Sequence, residues 1–314
     1  MAIGDRSALS GAIPEETVNE IVKNMPAASA VLPQVRVRTV RSKQSRVPIV
    51  SVLPDAGWVE ELTNANADET GHVKPVTDYG IGSEFLNVEP LAAIVVIPDE
   101  VADDIRDGAG IDIWSEIRPE LTAALGAKLD EAVLFGDSGT TSPASFPDGI
   151  VPQAVTATNT VTLGAGVDIA ADINAAWALV ESGGFDVNAQ FAKRSLRATL
   201  RGLRGSDDTP IYLAGGLRAD GGTASLYGES IAYVVNGAWT DDDTKVIVGD
   251  GSKCLVGIRQ DMTWKILDQA TVTVGANTIN LAQSDAKALR VVMRCGFQVF
   301  NPPSREGSGF PFAV

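Results

Sequence analysis

The sequence predicts an α+β fold, because strand patterns and helical patterns come in separate blocks and no segment repeats. Residues 91–97 form a solidly apolar run, which is typical of a buried strand. After an acidic turn and a glycine-containing break, apolar residues recur at four-residue steps from Ile113 to Val133, and this spacing indicates one long helix. No recognisable catalytic group lies in that helix. A long polar segment, an apolar strand and then a long helix favour a protein that assembles over one that catalyses.

The composition excludes several broad classes of protein. The chain has 314 residues, of which 45% are apolar, so it can bury a substantial core and is not globally disordered. Its net charge of −15 argues against a free nucleic-acid binder, because phosphate contacts require basic residues. Cys254 and Cys295 are far apart in the sequence and form no metal-binding pair, which fits a reduced compartment. The N-terminus lacks the features of a signal peptide, and no apolar run approaches the about 20 residues that span a bilayer.

The N-terminal region is predicted to contain one short helix and then strands. Pro14 opens a helical pattern, and Pro26 ends it. Residues 35–40 alternate like a strand with one solvated face. Two further strand patterns follow at residues 47–53 and 85–97.

The polar segment at residues 54–84 separates the last two of these strands. Connections of this length with little regular structure are unusual inside a compact domain. A purely solvated loop has no use for Trp58, Val59 or Leu62, so we expect the segment to rest on another surface.

The long helix has one position that interrupts its pattern. Pro119 is predicted to start the regular part of the helix or to kink it. The apolar stripe comprises Ile113, Ile117, Leu121, Leu125, Leu129 and Val133. Because each four-residue step rotates the stripe by about 40°, the helix is expected to touch more than one surface.

The C-terminal half is predicted to form a mixed block and then a series of strands. Residues 140–152 are a turn cluster rich in Ser, Pro and Gly. Helical patterns cover residues 167–181 and 194–203, and a turn follows at 205–208. The predicted strands lie at residues 189–192, 211–213, 231–235, 245–248, 254–259, 262–267 and 289–299, and residues 272–281 are predicted to form a hairpin.

Motifs with catalytic associations are weak in this chain. Residues 136–139 read Gly-Asp-Ser-Gly, as around the nucleophile of trypsin-like proteases, but a triad requires a base positioned against the serine. The one histidine, His72, lies in the polar segment, so we interpret Gly136 as a helix C-cap glycine followed by a turn. The chain has no phosphate-binding loop and no dinucleotide motif, and residues 241–243 lack the spacing of a calcium loop. No catalytic, cofactor-binding or metal-binding residue is therefore predicted, and the protein is not expected to be an enzyme.

Charge is segregated along the N-terminal third of the chain. One run contains bases and no acid, namely Arg36, Arg38, Arg41, Lys43 and Arg46. The next contains acids and no base, namely Asp55, Glu60, Glu61, Asp68 and Glu69. Two interpretations remain open: both runs are solvated, or the acidic loop of one subunit lies near the basic strand of another. In the second case, reversal of Glu60 and Glu61 to lysine is expected to block assembly and to leave a folded monomer.

Several short motifs occur in an order that is specific when they are taken together. Ile-Pro-Glu-Glu occurs at residues 13–16, and an apolar strand leads into Ile-Pro and an acidic turn at residues 85–98. The long helix ends in Leu-Phe-Gly at residues 134–136, and Asp-Gly-Ile follows at residues 148–150. Further motifs lie at residues 29–32, 47–49, 58–60, 112–114, 226–228, 248–250, 256–259 and 291–302. Over nearly the whole chain, this order resembles the major capsid protein of tailed bacteriophages, whose Hong-Kong-97-type fold is shared with encapsulin shells.

The resemblance implies a division of the chain into five parts. They are an N-terminal arm (1–40), an extended loop formed by a β-hairpin (41–97), a peripheral domain with the spine helix (98–154), an axial domain (155–247) and the return strands of the peripheral domain (248–314). The axial domain would meet its copies around five- and six-fold axes, and the extended loop and the arm would lie over neighbouring subunits. The residues expected between subunits are Arg36, Arg38, Arg41, Arg46, Trp58, Val59, Glu60, Glu61, Lys74, Ile113 and Trp114.

The resemblance also implies a function and partners. The protein would be a structural subunit that self-assembles as hexamers and pentamers into the icosahedral head shell around a phage genome, with no cofactor. It would be a virion component assembled in the host cytoplasm. Its partners would be other copies of itself, a portal, a decoration protein and a separate scaffolding protein, since only a short segment precedes the first strand. The shell would enclose double-stranded DNA without sequence-specific binding and without a membrane.

Three alternatives stay open at this point. An encapsulin-type compartment shell would have the same fold and a protein cargo. An enzyme of a different class lacks any supporting site. Some members of the family also cross-link a loop lysine to an asparagine of a neighbour, for which Lys74 and Asn301 are the candidates, although no family motif marks either position.

Overall fold

The computed structural model describes residues 29–56, 60–62, 71–73, 77–103, 113–203, 225–274, 277–305, 307 and 309–314. The helices are α1 (Ile113–Phe135), α2 (Ile150–Thr156), α3 (Ile169–Ser182) and α4 (Leu196–Gly202). The strands before α1 are β1 (Arg36–Thr39), β2 (Gln44–Val52), β3 (Glu60–Leu62), β4 (Gly71–Val73), β5 (Gly80–Asn87) and β6 (Glu89–Pro98). The later strands are β7 (Ala189–Lys193), β8 (Ser225–Leu226), β9 (Glu229–Val234), β10 (Val246–Gly249), β11 (Cys254–Leu267), β12 (Thr271–Val274), β13 (Asn277–Asn280), β14 (Ala286–Val299) and β15 (Phe312–Ala313). The predicted α+β class is confirmed.

A four-stranded sheet in the order β1-β11-β14-β6 forms one layer of the molecule. The neighbours β11 and β14 run antiparallel, and β1 lies parallel to β11 at one edge. The prediction of two strands at residues 254–259 and 262–267 is wrong, because β11 is continuous and its register shifts on either side of Gln260. An irregularity of this kind admits extra residues without ending the pairing, and Val256, Met262 and Trp264 all stay on the core side of the sheet.

The long helix α1 packs against one face of this sheet, as its apolar stripe predicts. Leu125 and Leu129 are each 2% exposed, and Val133 is fully buried. They share one core with Val291 and Phe297 of β14. Because full burial of such a side chain contributes about 1.5–3 kcal/mol, the stripe supplies much of the free energy that holds the helix to the sheet.

The position of Pro119 differs from one of the two predictions made for it. The helix begins at Ile113, so Pro119 does not start it. The helix continues through the proline although the ring removes one backbone hydrogen bond, because buried residues on either side hold both parts in the core.

A five-stranded sheet in the order β15-β10-β7-β9-β8 forms the second layer. Its core is continuous with that of the first sheet, because Phe191 and Ile247 belong to the same buried cluster as Leu125. Residues 248–314 are expected from the resemblance to be return strands of the peripheral domain, yet Phe312–Ala313 pairs with β10 in this second sheet. The helices α3 and α4 confirm the helical patterns predicted for this block.

The segment at residues 54–84 has more regular structure than expected, and that expectation is wrong. The short strands β3 and β4 pair inside it, and β5 begins at Gly80. The strands β2 and β5 pair along almost their whole length as a two-stranded ribbon, and neither of them pairs with a strand of the two large sheets. The predicted single strand at residues 85–97 is also two strands, since β5 pairs with β2 and β6 pairs with β14. The strands β2 and β5 have polar residues on both faces, so they carry only a weak hydrophobic period.

Close backbone contacts build the turn after α1. The helix ends at Phe135, and Gly149 donates its backbone N–H to the oxygen of Gly136 at 2.6 Å. A Cβ at Gly136 would collide with the backbone oxygen of Ala132. The φ angle of Gly136 is not in the left-handed region, so glycine is required here by the close contact and not by a left-handed cap. The predicted turn cluster at residues 140–152 is wrong at its end, where α2 begins.

Some predicted elements lie outside the described residues, namely the helix at 14–26, the turn at 205–208 and the strand at 211–213. The predicted hairpin at residues 272–281 is confirmed by the pairing of β12 with β13. The strands predicted at residues 189–192, 231–235 and 245–248 are confirmed as β7, β9 and β10.

Candidate inter-subunit surfaces

The ribbon formed by β2 and β5 is seated on the four-stranded sheet at its root. Leu86 is fully buried against Leu255 of β11 and Phe300. Beside it, a Cβ at Gly296 of β14 would collide with the backbone oxygen of Asn87, so only glycine allows the two backbones to approach this closely. The root of the ribbon is therefore fixed by apolar burial and by one backbone crossing.

Two hydrogen bonds hold the ribbon against the end of β14 and the segment that follows it. Gln298 Nε2 donates to Glu84 Oε2 at 2.6 Å. Arg305 Nη2 donates to the backbone oxygen of Pro54, just beyond the far end of β2, at 2.6 Å. The ribbon thus follows residues 298–305 outwards and leaves the sheet in a defined direction.

The tip of the ribbon is a second, shorter hairpin. Backbone pairing joins β3, which carries Glu60 and Glu61, to β4. The neck between ribbon and tip is narrow, since the backbone N–H of Asp55 donates to Thr77 Oγ1 at 2.7 Å. The structure thus carries the two predicted interface acids at the far end of the ribbon. The predicted interface residues Trp58, Val59 and Lys74 lie outside the described residues.

Four of the five bases predicted in residues 36–46 form no ion pair with a described carboxylate. They are Arg36 and Arg38 on β1, Arg41 in the turn that follows and Arg46 on β2, and all four are exposed. Lys43 instead pairs with Glu89 at 3.3 Å within the subunit. These bases lie near the root of the ribbon, whereas β3, which carries Glu60 and Glu61, lies at its tip.

The two interface residues predicted at the start of α1 have different environments. Trp114 is 7% exposed and belongs to the core of its own subunit, so its side chain has little surface to present to a neighbour. Ile113 is half-buried and packs against the same core. The indole is buried because Trp114 shares an inward helical face with Leu121 and Leu125.

Sequence patterning missed a fully buried carboxylate in α1. Asp130 Oδ2 accepts hydrogen bonds from the backbone N–H of Ala30 and from Asn236 Nδ2, both at 2.8 Å, and Oδ1 accepts one from the hydroxyl of Ser29. Burial raises the pKa of Asp130, and these neutral donors offset the desolvation only in part. The carboxylate joins the chain entering β1, the long helix and the loop after β9. Its place beside Leu129 in the apolar stripe is the signal that could have revealed it.

The serine and cysteine side chains that could serve as nucleophiles have other roles in this structure. Ser138 Oγ donates to the backbone oxygen of Ala144 at 3.3 Å, and the Ser138 N–H donates to Asp148 Oδ1 at 2.9 Å, so the Gly-Asp-Ser-Gly motif is a hydrogen-bonded turn. Burial raises the pKa of the Cys254 and Cys295 thiols to about 12, which keeps both in the unreactive thiol form at neutral pH. In the part of the chain that the structure describes, no three His, Cys, Asp or Glu side chains are grouped so as to hold a metal ion. No described helix is both long enough and apolar enough to cross a membrane.

Known proteins resemble this chain in both sequence and fold. The model of the phage capsid family matches residues 10–304. A solved structure from Microbacterium phage Oxtober96 is 39% identical, with a TM-score of 0.76 over 91% of this chain and 90% of that chain. One from Mycobacterium phage Bobi is 30% identical, with a TM-score of 0.75 over 99% of this chain and 98% of that chain. The capsid of an empty GTA particle, at 15% identity and a TM-score of 0.56 over 91% of this chain and 90% of that chain, shares the fold. No curated protein matches the chain.

These matches confirm the resemblance inferred from the ordered motifs. They extend over the ribbon, the long helix and both sheets, and they give no support to the encapsulin-type alternative. Membership of a family of structural proteins indicates a structural role for this chain. The chain belongs to the phage capsid family, and it is a shell-forming structural subunit of a phage head and a component of the virion.

Proposed function

We propose that copies of this subunit are joined in the shell by the hairpin tip, which lies over an adjacent subunit. The observation that carries this proposal is that β3 and β4 pair with each other and with no other described strand. A lone two-stranded hairpin is only marginally stable in water, so the tip gains stability when it lies on another surface. The sequence places Trp58 and Leu62 in this segment, and such side chains favour an apolar contact.

The charges at the tip and at the root of the ribbon favour contact between copies of the subunit. Residues 55–69 carry five acids and no base, whereas Arg36, Arg38, Arg41 and Arg46 lie near the root without a described carboxylate partner. Complementary charge across an interface sets register and partner choice more than affinity. Repetition of this contact around a closed shell lets many modest interfaces sum to a stable particle.

The remaining features of the proposal follow the family. The axial domain, residues 155–247, meets its copies around five- and six-fold axes, and the N-terminal arm, residues 1–40, lies over a neighbour. Subunits assemble in the host cytoplasm with a separate scaffolding protein and a portal, and the shell binds a decoration protein. The shell encloses double-stranded DNA without reading its sequence, and the net charge of −15 limits its adhesion to phosphates. The subunit has no enzymatic activity.

The sharpest test removes the tip at its neck. Because Asp55 and Thr77 are hydrogen-bonded at 2.7 Å, a Gly-Ser-Gly linker can replace residues 56–76 without distortion of the ribbon. Negative-stain microscopy is expected to show closed shells of the unmodified protein and none of the truncated one. The truncated subunit should keep its circular dichroism spectrum and its melting temperature, since the core residues that the structure describes all lie outside residues 56–76.

A matched variant distinguishes the effect of the acidic charges on assembly from the effect of shortening the ribbon. It keeps the whole tip and replaces the five acids of residues 55–69 with the corresponding amides, at Asp55, Glu60, Glu61, Asp68 and Glu69. Shells are expected to form only at higher protein concentration, because the apolar part of the contact remains. Normal shells from the truncated subunit would contradict the proposal.

A further inference from the structure

The loop that follows β9 contains the dipeptide Asn236-Gly237, the one Asn-Gly pair in the sequence. In such a pair the backbone nitrogen of the glycine can attack the side-chain carbonyl carbon of the asparagine, because glycine has no Cβ to crowd that nitrogen. A carbon–nitrogen bond forms, the bond from the same carbon to the side-chain nitrogen breaks, and ammonia leaves with the proton that the glycine nitrogen loses. Water then opens the cyclic imide to aspartate or isoaspartate, so the change needs no enzyme and no cofactor.

The attacking nitrogen of Gly237 is neither held nor shielded by the described part of the chain. Its N–H donates no hydrogen bond to a described group, and no described atom beyond its own neighbours lies within 4 Å of the position a Cβ would take. The φ angle of Gly237 is +84°, in the left-handed region that favours glycine. Gly237 and Val235 are both exposed, so water reaches this loop to complete the reaction.

The carboxamide of Asn236 is held at both of its polar atoms. Oδ1 accepts a hydrogen bond from the Ala238 N–H at 3.2 Å, and this turn folds the side chain back over the Gly237 peptide. A donor on Oδ1 stabilises the negative charge that develops there when the nitrogen attacks. Nδ2 donates to Asp130 Oδ2 at 2.8 Å, so a carboxyl group lies beside the nitrogen that leaves, where it can pass on the proton that ammonia takes up.

The product of the reaction places a second carboxylate against Asp130. An acid at position 236 has an oxygen where Nδ2 now lies, 2.8 Å from Oδ2 of a carboxylate that is fully buried. Two carboxylates at this separation do not both stay ionised, so they bind a proton or move apart. Isoaspartate also lengthens the main chain of the loop by one carbon. Either product replaces a favourable hydrogen bond to α1 by a repulsive contact.

Asp130 also holds the chain that enters β1, so the effect extends beyond the loop. Its Oδ2 accepts from the Ala30 N–H at 2.8 Å, and its Oδ1 accepts from the hydroxyl of Ser29. The same hydroxyl accepts from the Leu32 N–H at 3.1 Å. A carboxylate that turns away from a new charge at position 236 loses these contacts as well. A covalent change in one exposed loop thus reaches residues 29–32, which are remote in the sequence.

We propose that Asn236-Gly237 is a site of spontaneous deamidation, and that its product releases the junction at Asp130 between α1 and residues 29–32. The inference is independent of how subunits contact one another in the shell. A newly made subunit has the junction closed by a neutral amide, and an aged subunit has it opened by a second acid.

Peptide mass spectrometry of the unmodified subunit, incubated in warm neutral buffer, tests the reaction itself. The matched control is Asn280 of the same chain. Its Oδ1 also accepts from the N–H two residues on, that of Ala282 at 3.2 Å, but the next residue is Leu281, whose side chain crowds the attacking nitrogen. The mass gain of an amide turned into an acid is expected at Asn236 about tenfold faster or more than at Asn280. Equal rates at the two positions, or no mass gain at Asn236, would overturn the assignment of the site.

Hydrogen exchange at the amides of Ala30 and Leu32 reports whether the junction opens. Both amides are expected to exchange faster in the aged subunit and in Asn236→Asp, and the melting temperature should fall by about 4 °C or more. Asn280→Asp, the corresponding product at the control position, should change neither quantity. Unaltered exchange at residues 29–32 in fully deamidated protein would show that the product leaves the junction closed. If Asn236→Asp does not fold, the time course of the aged unmodified subunit gives the same comparison.

Discussion

Asp130 Oδ2 accepts a hydrogen bond of 2.8 Å from Asn236 Nδ2, and this contact ties the long helix to the loop that follows β9. The same carboxylate holds Ser29 and Ala30, where the chain enters the first strand. Three segments that are remote in the sequence therefore meet at one buried charge. The donors are all neutral, so the junction positions these segments without an ion pair.

Replacement of Asn236 by alanine is expected to lower the free energy of unfolding by about 1–3 kcal/mol, because it leaves a buried carboxylate with one donor fewer. The matched control is Asn280→Ala, which removes an exposed acceptor of the Ala282 N–H and should change stability by about 0.5 kcal/mol or less. Urea denaturation of the dissociated subunits measures both. Equal losses in the two variants would show that the buried hydrogen bond to Asp130 contributes no more to stability than the exposed one.

The pH dependence of stability should carry the signature of Asp130. Its pKa in the folded subunit is raised from the ordinary value of 3.8 by burial, so the folded state binds the proton more tightly than the unfolded state. The contribution is therefore fully present below pH 3.8 and is lost as the pH rises through the raised pKa.

The comparison protein for this prediction is Asp130→Asn, which cannot titrate at this position. Unfolding free energies of both dissociated subunits are measured from below pH 3.8 up to pH 7. The stability of the unmodified subunit relative to the variant is expected to fall over that range, whatever the offset between the two proteins. A constant difference across the range would mean that burial does not shift the pKa of Asp130.

Replacement of Gly296 by alanine should unseat the root of the ribbon. The added Cβ would collide with the backbone oxygen of Asn87, which has no rotamer with which to move aside, so we expect a loss of about 1–3 kcal/mol in stability. Gly202→Ala in α4 is the control, because no atom lies within 4 Å of its added Cβ, and it should be neutral or slightly stabilising. Thermal melting ranks the two variants, and a ranking in the opposite order would refute the close backbone crossing.

The two native thiols should not react in the folded subunit. Burial raises the pKa of Cys254 and Cys295 to about 12, and both side chains are buried, so a thiol reagent should label them only after denaturation. The control is Ser138→Cys, at an exposed turn position, which should react within the folded state. Rapid labelling of the unmodified protein would indicate that the sheet between β11 and β14 opens readily.

A structural feature could be predicted from the sequence where it depends on residues that are close together along the chain. The helix that contains Leu125, Leu129 and Val133 was predictable, because a four-residue stripe needs only neighbours along the chain. The ribbon of β2 and β5 was only partly predictable. Its strands carry polar residues on both faces, and their partners are set by pairing across more than thirty residues, between Gln44 and Asn87.

By itself, the sequence determined the α+β class, the long helix, the segregation of acids and bases, and the order of motifs that marks the family. Only the tertiary structure decided which residues share a face. It buried Trp114 in its own core, brought Ser29 and Asn236 to Asp130, and placed Lys265 beside Arg290. Helical and strand periods are properties of consecutive residues, whereas these groupings arise when strands far apart in the chain choose a register. The packing of one helix on one sheet then decides which face is buried and which stays open to another subunit.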